Sequence, residues 1–419
     1  MRFIVILSKA RNKVLAESKV LILLYCYIAV FPLGQLTRLP LPIESFPEIH
    51  LYLTDILIAL LVSAWFGGKL IRKEKFAKPP LWVPISLFSL ICLASLAFNA
   101  PLLSSGEVVV AFLYLIRWLV YAGIYFVVYD LTKNLKLKTK NLLSLLVIVG
   151  LVTAVFGLLQ YLFLPDTRFL EKYGWDPHYY RVIGTFLDPG FLGLIFVLSL
   201  IIVVVKIFQE KKLRKKLIGV GVIIYLALAL TYSRASYLAY SLAMGITAWR
   251  QRSTKFAFFV LIIGIVTIFL LPRPGGEGVR LERESTIRAR ILNWQQSFAI
   301  IEDNPFFGVG FNAYRYVQDK YLAWPEGELE ISHAGAGADS SLLFVLATTG
   351  IFGLGAYLWI WIKALVLSLK KINKPQNQIA LASILAILIH SFFVNSLFYP
   401  WVMAWLWIVL GGIKEGKSL

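Results

Sequence analysis

The string FLGLIFVLSLIIVVVKIF fills residues 191–208, and the block KKLRKK follows at 211–216. The first stretch carries a single charge, Lys206. A helix needs roughly 20 apolar residues to cross the hydrocarbon core of a bilayer. Runs of Leu, Ile and Val without a period of two do not suit a barrel strand, whereas a helix satisfies its own backbone hydrogen bonds. The basic block marks a cytoplasmic link, where Lys and Arg concentrate. An apolar span closed by a cationic link is the unit from which the rest of the chain is read.

Outward from this unit, the same pattern recurs. Hydrophobic residues make up 59% of 419 positions, and the mean hydropathy is +0.75. A soluble protein with so much apolar surface would aggregate, so lipid is the solvent for most of the chain. The expected class is an all-α integral membrane protein, a bundle of about twelve transmembrane helices with one large external helical loop. The expected spans are 20–34, 51–68, 81–98, 108–131, 142–164, 191–208, 217–231, 235–249, 256–271, 340–369, 379–398 and 401–413. The short pair around Ser233 reads either as two crossings or as a re-entrant hairpin. Residues 340–369 read as one tilted helix. The run 20–30 resembles the apolar part of a signal peptide, but no small-residue cleavage site follows, so it is read as a retained first span.

Charge sets the topology. The N-terminus carries Arg2, Lys9, Arg11, Lys13 and Lys19, and every second link is basic: 69–78, 133–140, 211–216, 250–255 and 370–374. The alternate links, 35–50, 99–107, 165–187 and 272–339, are poor in net positive charge. Both termini are therefore expected in the cytoplasm and the long loop outside. The domains are 1–271 (first part of the bundle), 272–339 (extracytoplasmic loop) and 340–419 (last part of the bundle). The net charge of +19 would suggest nucleic acid in a soluble protein. Here the cations lie between spans, where they face anionic lipid, and no basic domain stands outside them, so no nucleic acid is expected. Cys26 and Cys92 offer neither a disulfide framework nor metal spacing.

The loop opens with Pro272, Pro274, Gly275, Gly276 and Gly278, a flexible exit from the membrane. Ile287, Ile291, Trp294, Phe298 and Ile301 then recur at helical steps, predicting a helix over 283–302. Asn304 and Pro305 stop it, Gly308 and Gly310 form a turn, and a second amphipathic stretch runs over 312–322. Such helices are expected on the bilayer surface.

Walker, Rossmann, HExxH and GxSxG signatures are absent. Asp-x-Asp is absent too, which weighs against a metal-held sugar diphosphate; neither metal nor cofactor is expected. What remains is a set of polar groups at outer membrane boundaries. Arg181 lies in RVIGTFLDPG and Arg234 in TYSRASYLA. Arg290 and Trp294 lie in RILNW, ahead of DNPFFGVG, and His333 and Asp339 lie in SHAGAGADSSLL.

The Ser233-Arg234 turn, the Arg290-x-x-x-Trp294 helix with its Asn304-Pro305 tail, and the polar re-entry followed by Thr349-Gly350-Ile351-Phe352-Gly353 resemble the O-antigen ligase and polymerase superfamily. The likeness covers about 181–355. It implies a metal-independent glycosyltransferase of the inner membrane, moving a glycan from undecaprenyl diphosphate to a sugar hydroxyl at the periplasmic face. In ligases the acceptor is lipid A-core; in polymerases it is another lipid-linked glycan. Membrane lipid is the remaining partner. A lipid-linked glycan transporter accounts for the spans but not for polar motifs confined to one face. Where ligases usually carry His-Asn, this chain has Asp339-Ser340, with His333 six residues upstream.

Charge chemistry gives the same assignment. A diphosphate leaving group carries about two negative charges, and guanidinium forks match phosphate oxygens. Arg181, Arg234, Arg288 and Arg290 are the expected diphosphate ligands, and Trp294, Tyr179 and Tyr180 the expected glycan or acceptor contacts. For each there is a plainer reading: a boundary arginine snorkels, and Trp294 sits in the interface. Asp55 and Arg117, within spans, read as a buried structural pair, and His390 and Asn395 as helix-packing groups. His333 is the expected general base with Asp339 as its partner, and Asp339 acting alone as base is the alternative. Asp339, at a helix start where the dipole favours an ionised and weakly basic carboxylate, is expected to orient His333 or to cap the helix.

Overall fold

The computed structural model describes residues 17–39, 50–134, 137–321 and 337–413. Nearly all of it is helical. The elements are α1 (Glu17–Thr37), α2 (Leu53–Ile71), α3 (Trp82–Asn99), α4 (Ser105–Asn134), α5 (Thr139–Phe163), α6 (Pro189–Gln209), α7 (Arg214–Ala229), α8 (Arg234–Gln251), α9 (Thr254–Leu270), α10 (Ser285–Asp303), α11 (Tyr314–Val317), α12 (Ser341–Lys370), α13 (Pro375–His390) and α14 (Pro400–Gly411). Two short antiparallel strands, β1 (Arg38–Leu39) and β2 (Leu51–Tyr52), pair Arg38 with Tyr52.

Among the described residues, seven helices are long and apolar enough to cross a membrane: α1 to α6 and α12. This makes the chain a multi-pass membrane protein of all-α class. The other five segments read as crossings are helices of the same bundle, but α7, α8, α13, α9 and α14 are shorter or less apolar than a full span requires. Twelve crossings are thus not established by length.

The stretch that opened the sequence reading is the central post. In α6 nearly every residue from Leu192 to Val203 is buried, because α7, α8, α13 and α5 all lean on it. A helix apolar all round is stable only when enclosed in this way. The last helix, α14, is similarly enclosed, with Trp401, Trp405 and Trp407 fully buried. At the other extreme α9 buries no residue.

The outer loop departs from its expected outline. Its helix is α10, two residues later at its start than the apolar pattern placed it, and the second stretch is only one turn of α-helix followed by a 3-10 turn over Gln318–Tyr321. The apolar stripe of α10 is not its buried face. Ile287, Ile291 and Phe298 are exposed, whereas Gln296, Ser297 and Ile300 are buried. Gln296 donates to the Gln318 carbonyl at 3.0 Å, and Ser297 meets the Tyr314 hydroxyl at 2.9 Å. These bonds, and Ile300 and Ile301 packed on Val309, Tyr314 and Phe344, hold the helix to the protein, while Ile287, Ile291 and Phe298 stay uncovered, as on a helix lying on a bilayer.

The glycine motifs interlock. Helix α12 is broken at Gly350, whose φ of 65° is left-handed, a conformation that glycine adopts freely. Into the break fits the 305–310 segment: Val309 N–H donates to Ala347 O at 3.0 Å, Gly310 N–H to Thr348 O at 3.1 Å, and Ile351 N–H to Pro305 O at 2.9 Å. Ser95 of α3 donates to Phe307 O and Asn99 to Gly308 O. A Cβ on Gly308 would strike the Thr348 backbone, and one on Gly350 the Phe306 carbonyl. Backbone groups freed by the broken helix are satisfied by the loop, which fastens the loop to the bundle. The single tilted helix expected over 340–369 is therefore two helical pieces joined at a plug.

Candidate active site

Arg181 is placed from two sides. Gln160 of α5 accepts from the Ile183 and Gly184 N–H groups at 3.0 and 3.1 Å and donates to the Arg181 carbonyl at 3.3 Å. The Val182 N–H bonds the Leu230 carbonyl at 2.8 Å. The side chain, itself buried, then donates through Nε to the Thr231 carbonyl at 3.0 Å. Gly278 lies against it, its missing Cβ leaving room for the Arg181 stem.

Arg234 opens α8 directly after its cap, Ser233, whose Oγ accepts from Ser236 N–H. Its Nη1 donates to the Leu281 and Arg283 carbonyls at 3.2 and 3.0 Å. Its Nη2 is buried with no partner among the described residues. Arg283 donates in turn to the Gly278, Arg280 and Tyr232 carbonyls. The arginines therefore spend part of their donors on loop carbonyls, which orders the exit strand around them.

Arg290 projects from α10, with its guanidinium 5.8 Å from the centre of the Phe393 ring. Trp294, one turn on, lies nearly parallel to the same ring at 6.4 Å. Its indole Nε1 is buried and unpartnered. Between them Asn293 clamps the returning chain: Oδ1 accepts from Asp339 N–H at 2.8 Å and Nδ2 donates to Gly337 O at 3.2 Å. This delivers Asp339 to the side of Arg290.

The site is strongly cationic and poorly solvated. Burial pushes Arg181 down to about 10, and the Arg283 charge adds to this. Burial likewise takes Arg283 to about 10, with Arg234 and Arg290 repelling it further. Arg290 is lowered by burial against the attraction of Asp339. Four like charges held together out of water, offset in part by Asp188 and Asp339, leave a cationic excess that an anion would relieve. The N-terminal ends of α6, α8 and α12 lie beside them and add the positive ends of their dipoles.

The expectations for Asp339 need correcting. Ser340, not Asp339, caps α12, by accepting from Leu343 N–H. Burial raises the Asp339 carboxyl to about 6, against the pull of Arg290, with Asp176 adding to the rise. Desolvation outweighs the dipole, so the group is more basic than a helix-start carboxylate should be. His333 lies outside the described residues.

Arg181, Arg234, Arg290 and Asp339 thus converge, and Trp294 stands beside them. Arg288 does not join; it is exposed on α10. Tyr179 stacks under Arg168 at 4.7 Å and edge-on to Tyr180 at 4.6 Å. Tyr180 packs on the small cluster of Tyr232, Leu271 and Val279. Both support the hairpin that carries Arg181. Sequence reasoning missed Arg283, although it lies seven residues, two helical turns, before Arg290. It also missed Phe393, which has no motif around it, and His178, which is buried beside Arg181 and Arg283.

The pair Asp55–Arg117 is a closed unit. Arg117 meets Asp55 at 2.8 Å, Tyr121 donates to the other carboxylate oxygen at 2.8 Å, and Tyr52 N–H adds a third bond. His390, fully buried, bridges Ser236 at 3.3 Å and Ser396 at 2.6 Å.

A family model described as O-antigen ligase matches residues 219–358, about a third of the chain. The match runs from α7 into α12 and includes Arg234, Arg283, Arg290 and Asp339. It supports the O-antigen ligase superfamily and, with the apolar bundle, a membrane enzyme of the ligase or polymerase type. No curated protein matches the chain.

Proposed function

We propose that this chain is an O-antigen ligase-type glycosyltransferase, moving a glycan from undecaprenyl diphosphate to a sugar hydroxyl of lipid A-core. One observation carries the reading: Arg283 and Arg290 crowd Arg234, whose guanidinium Nη2 is buried and unpartnered among the described residues, Arg181 stands by Arg283, and a carboxylate of raised basicity lies next to Arg290. The arginines hold the diphosphate and stabilise the charge that grows as the glycosidic C–O bond breaks. No divalent ion is needed for that step. Asp339 takes the proton from the acceptor hydroxyl as the new C–O bond forms. His333, the base favoured by the sequence, is the alternative, with Asp339 then orienting it. Trp294 with Phe393 forms an aromatic floor for a sugar ring.

In this reading the bundle crosses the inner membrane twelve times, both termini are cytoplasmic, and the site opens on the periplasmic side. The same donor chemistry with a lipid-linked glycan acceptor makes a polymerase, and the resemblance favours neither acceptor. Purified protein in liposomes, given lipid-linked glycan and lipid A-core, should yield a covalent glycolipid of lower gel mobility, unaffected by EDTA. A change in sidedness of the donor without a new covalent product would make it a transporter. Elongated lipid-linked glycan would make it a polymerase.

A further inference from the structure

Within the 165–180 hairpin, Thr167 donates twice to the His178 carbonyl, through N–H at 2.9 Å and Oγ1 at 3.0 Å, and Tyr180 N–H bonds Pro165 O at 2.8 Å. These bonds fix where the imidazole goes. The His178 residue is 9% exposed, and its Nε2 is buried without a hydrogen-bond partner among the described residues. A buried polar atom left unpaired in an otherwise satisfied turn calls for an explanation.

Its surroundings narrow the choice. Arg181 and Arg283 lie close enough for their charges to oppose its protonation. The carbonyls of Thr231, Gly278 and Tyr232 each already accept from one of those two guanidiniums. A neutral imidazole carries one N–H, and in the tautomer with that proton on Nε2 the missing partner is an acceptor. Two arginine charges, offset only in part by Asp188, Asp176 and Glu277, favour an anionic one, rich in oxygen.

We infer that His178 is a further ligand of the anionic leaving group, donating through Nε2 to a phosphate oxygen held by Arg181 and Arg283. This rests on the diphosphate reading above and adds a contact from the hairpin between α5 and α6, outside the segment matched by the family model. The imidazole stays neutral in this role and takes no proton from the acceptor.

The test uses the full chain in detergent with inorganic pyrophosphate as probe. His178→Phe keeps a ring of similar bulk and removes the nitrogens; His178→Gln keeps a donor near the Nε2 position. Binding should weaken about ten-fold in His178→Phe, the size of one lost hydrogen bond to a charged partner. His178→Gln should stay within about three-fold of the native chain. The KM for lipid-linked donor should follow the same order. If the imidazole only packs the hairpin, Phe binds normally and Gln is the worse variant, and the inference falls. A measurement without substitution decides if either variant fails to fold: in 15N-histidine spectra of the native chain, the His178 Nε2 resonance should move on pyrophosphate addition. Pyrophosphate binding without that movement overturns the role of His178 alone. No pyrophosphate binding by the native chain overturns the arginine site with it.

Discussion

Two aspartate–arginine neighbours in this bundle look alike in sequence and behave differently in the fold. Asp55 is saturated by Arg117, Tyr121 and the Tyr52 N–H. Asp339 has Arg290 beside it, yet the one hydrogen bond it makes among the described residues is through its backbone N–H, to Asn293. The first pair resolves its own charges and leaves nothing for a ligand. The second belongs to a cluster with four cations, a raised carboxyl and an orphaned guanidinium nitrogen. A charged pair in a membrane protein marks function when its hydrogen-bonding capacity is unspent; proximity of opposite charges alone marks structure.

Removing the two carboxylates draws the sharpest contrast. Asp339→Asn should lower turnover by about 10²–10⁴-fold if it is the base, the usual worth of general-base catalysis, while the purified protein melts as before. His333→Ala measured beside it assigns the proton: loss there with Asp339→Asn active would restore the histidine as base.

The cations come next. Arg290→Lys and Arg234→Lys should each cost about 10²-fold in transfer, because an ammonium keeps charge but loses the fork that matches phosphate. Arg117→Lys should leave donor KM and turnover near native. Equal losses at Arg117 and Arg290 would abolish the distinction drawn above.

Asp55→Asn turns the comparison toward stability. It strands Arg117 in a buried setting and should destabilise the protein by about 3 kcal/mol, seen as a lower melting temperature in detergent with native turnover per folded molecule.

The smallest effect is on pH. A base with its carboxyl near 6 must be ionised to act. Turnover should therefore be flat above neutrality and fall as pH drops, reaching about half at pH ~6. A midpoint near pH ~4 would mean that Asp339 is as acidic as an exposed carboxyl.

Much of this was legible in the chain. The run at 191–208 declared a buried membrane helix because eighteen residues with one charge have no other stable place. The order and spacing of the Ser233-Arg234 turn, the Arg290-x-x-x-Trp294 helix and the polar re-entry before 349–353 were enough to suggest the superfamily. Less of the site was visible. His178 sits in a segment with no periodic pattern, Arg283 only at the first residue of the predicted helix, and the place of Arg283 depends on carbonyls of Gly278, Arg280 and the distant Tyr232. Arg288 looked equivalent to Arg290 in sequence, since a boundary residue declares its type and not the direction in which it points.

Composition and spacing alone determined the solvent, the helical class and the residue types able to meet a diphosphate, because hydropathy and charge are properties of short segments. Only the tertiary structure decided which charges are spent. It satisfied Asp55 and left Asp339 open, and it joined the Gly308 turn and Gly350 into a plug. Hydrogen-bond saturation is set by partners brought from across the fold, and no window of sequence contains them.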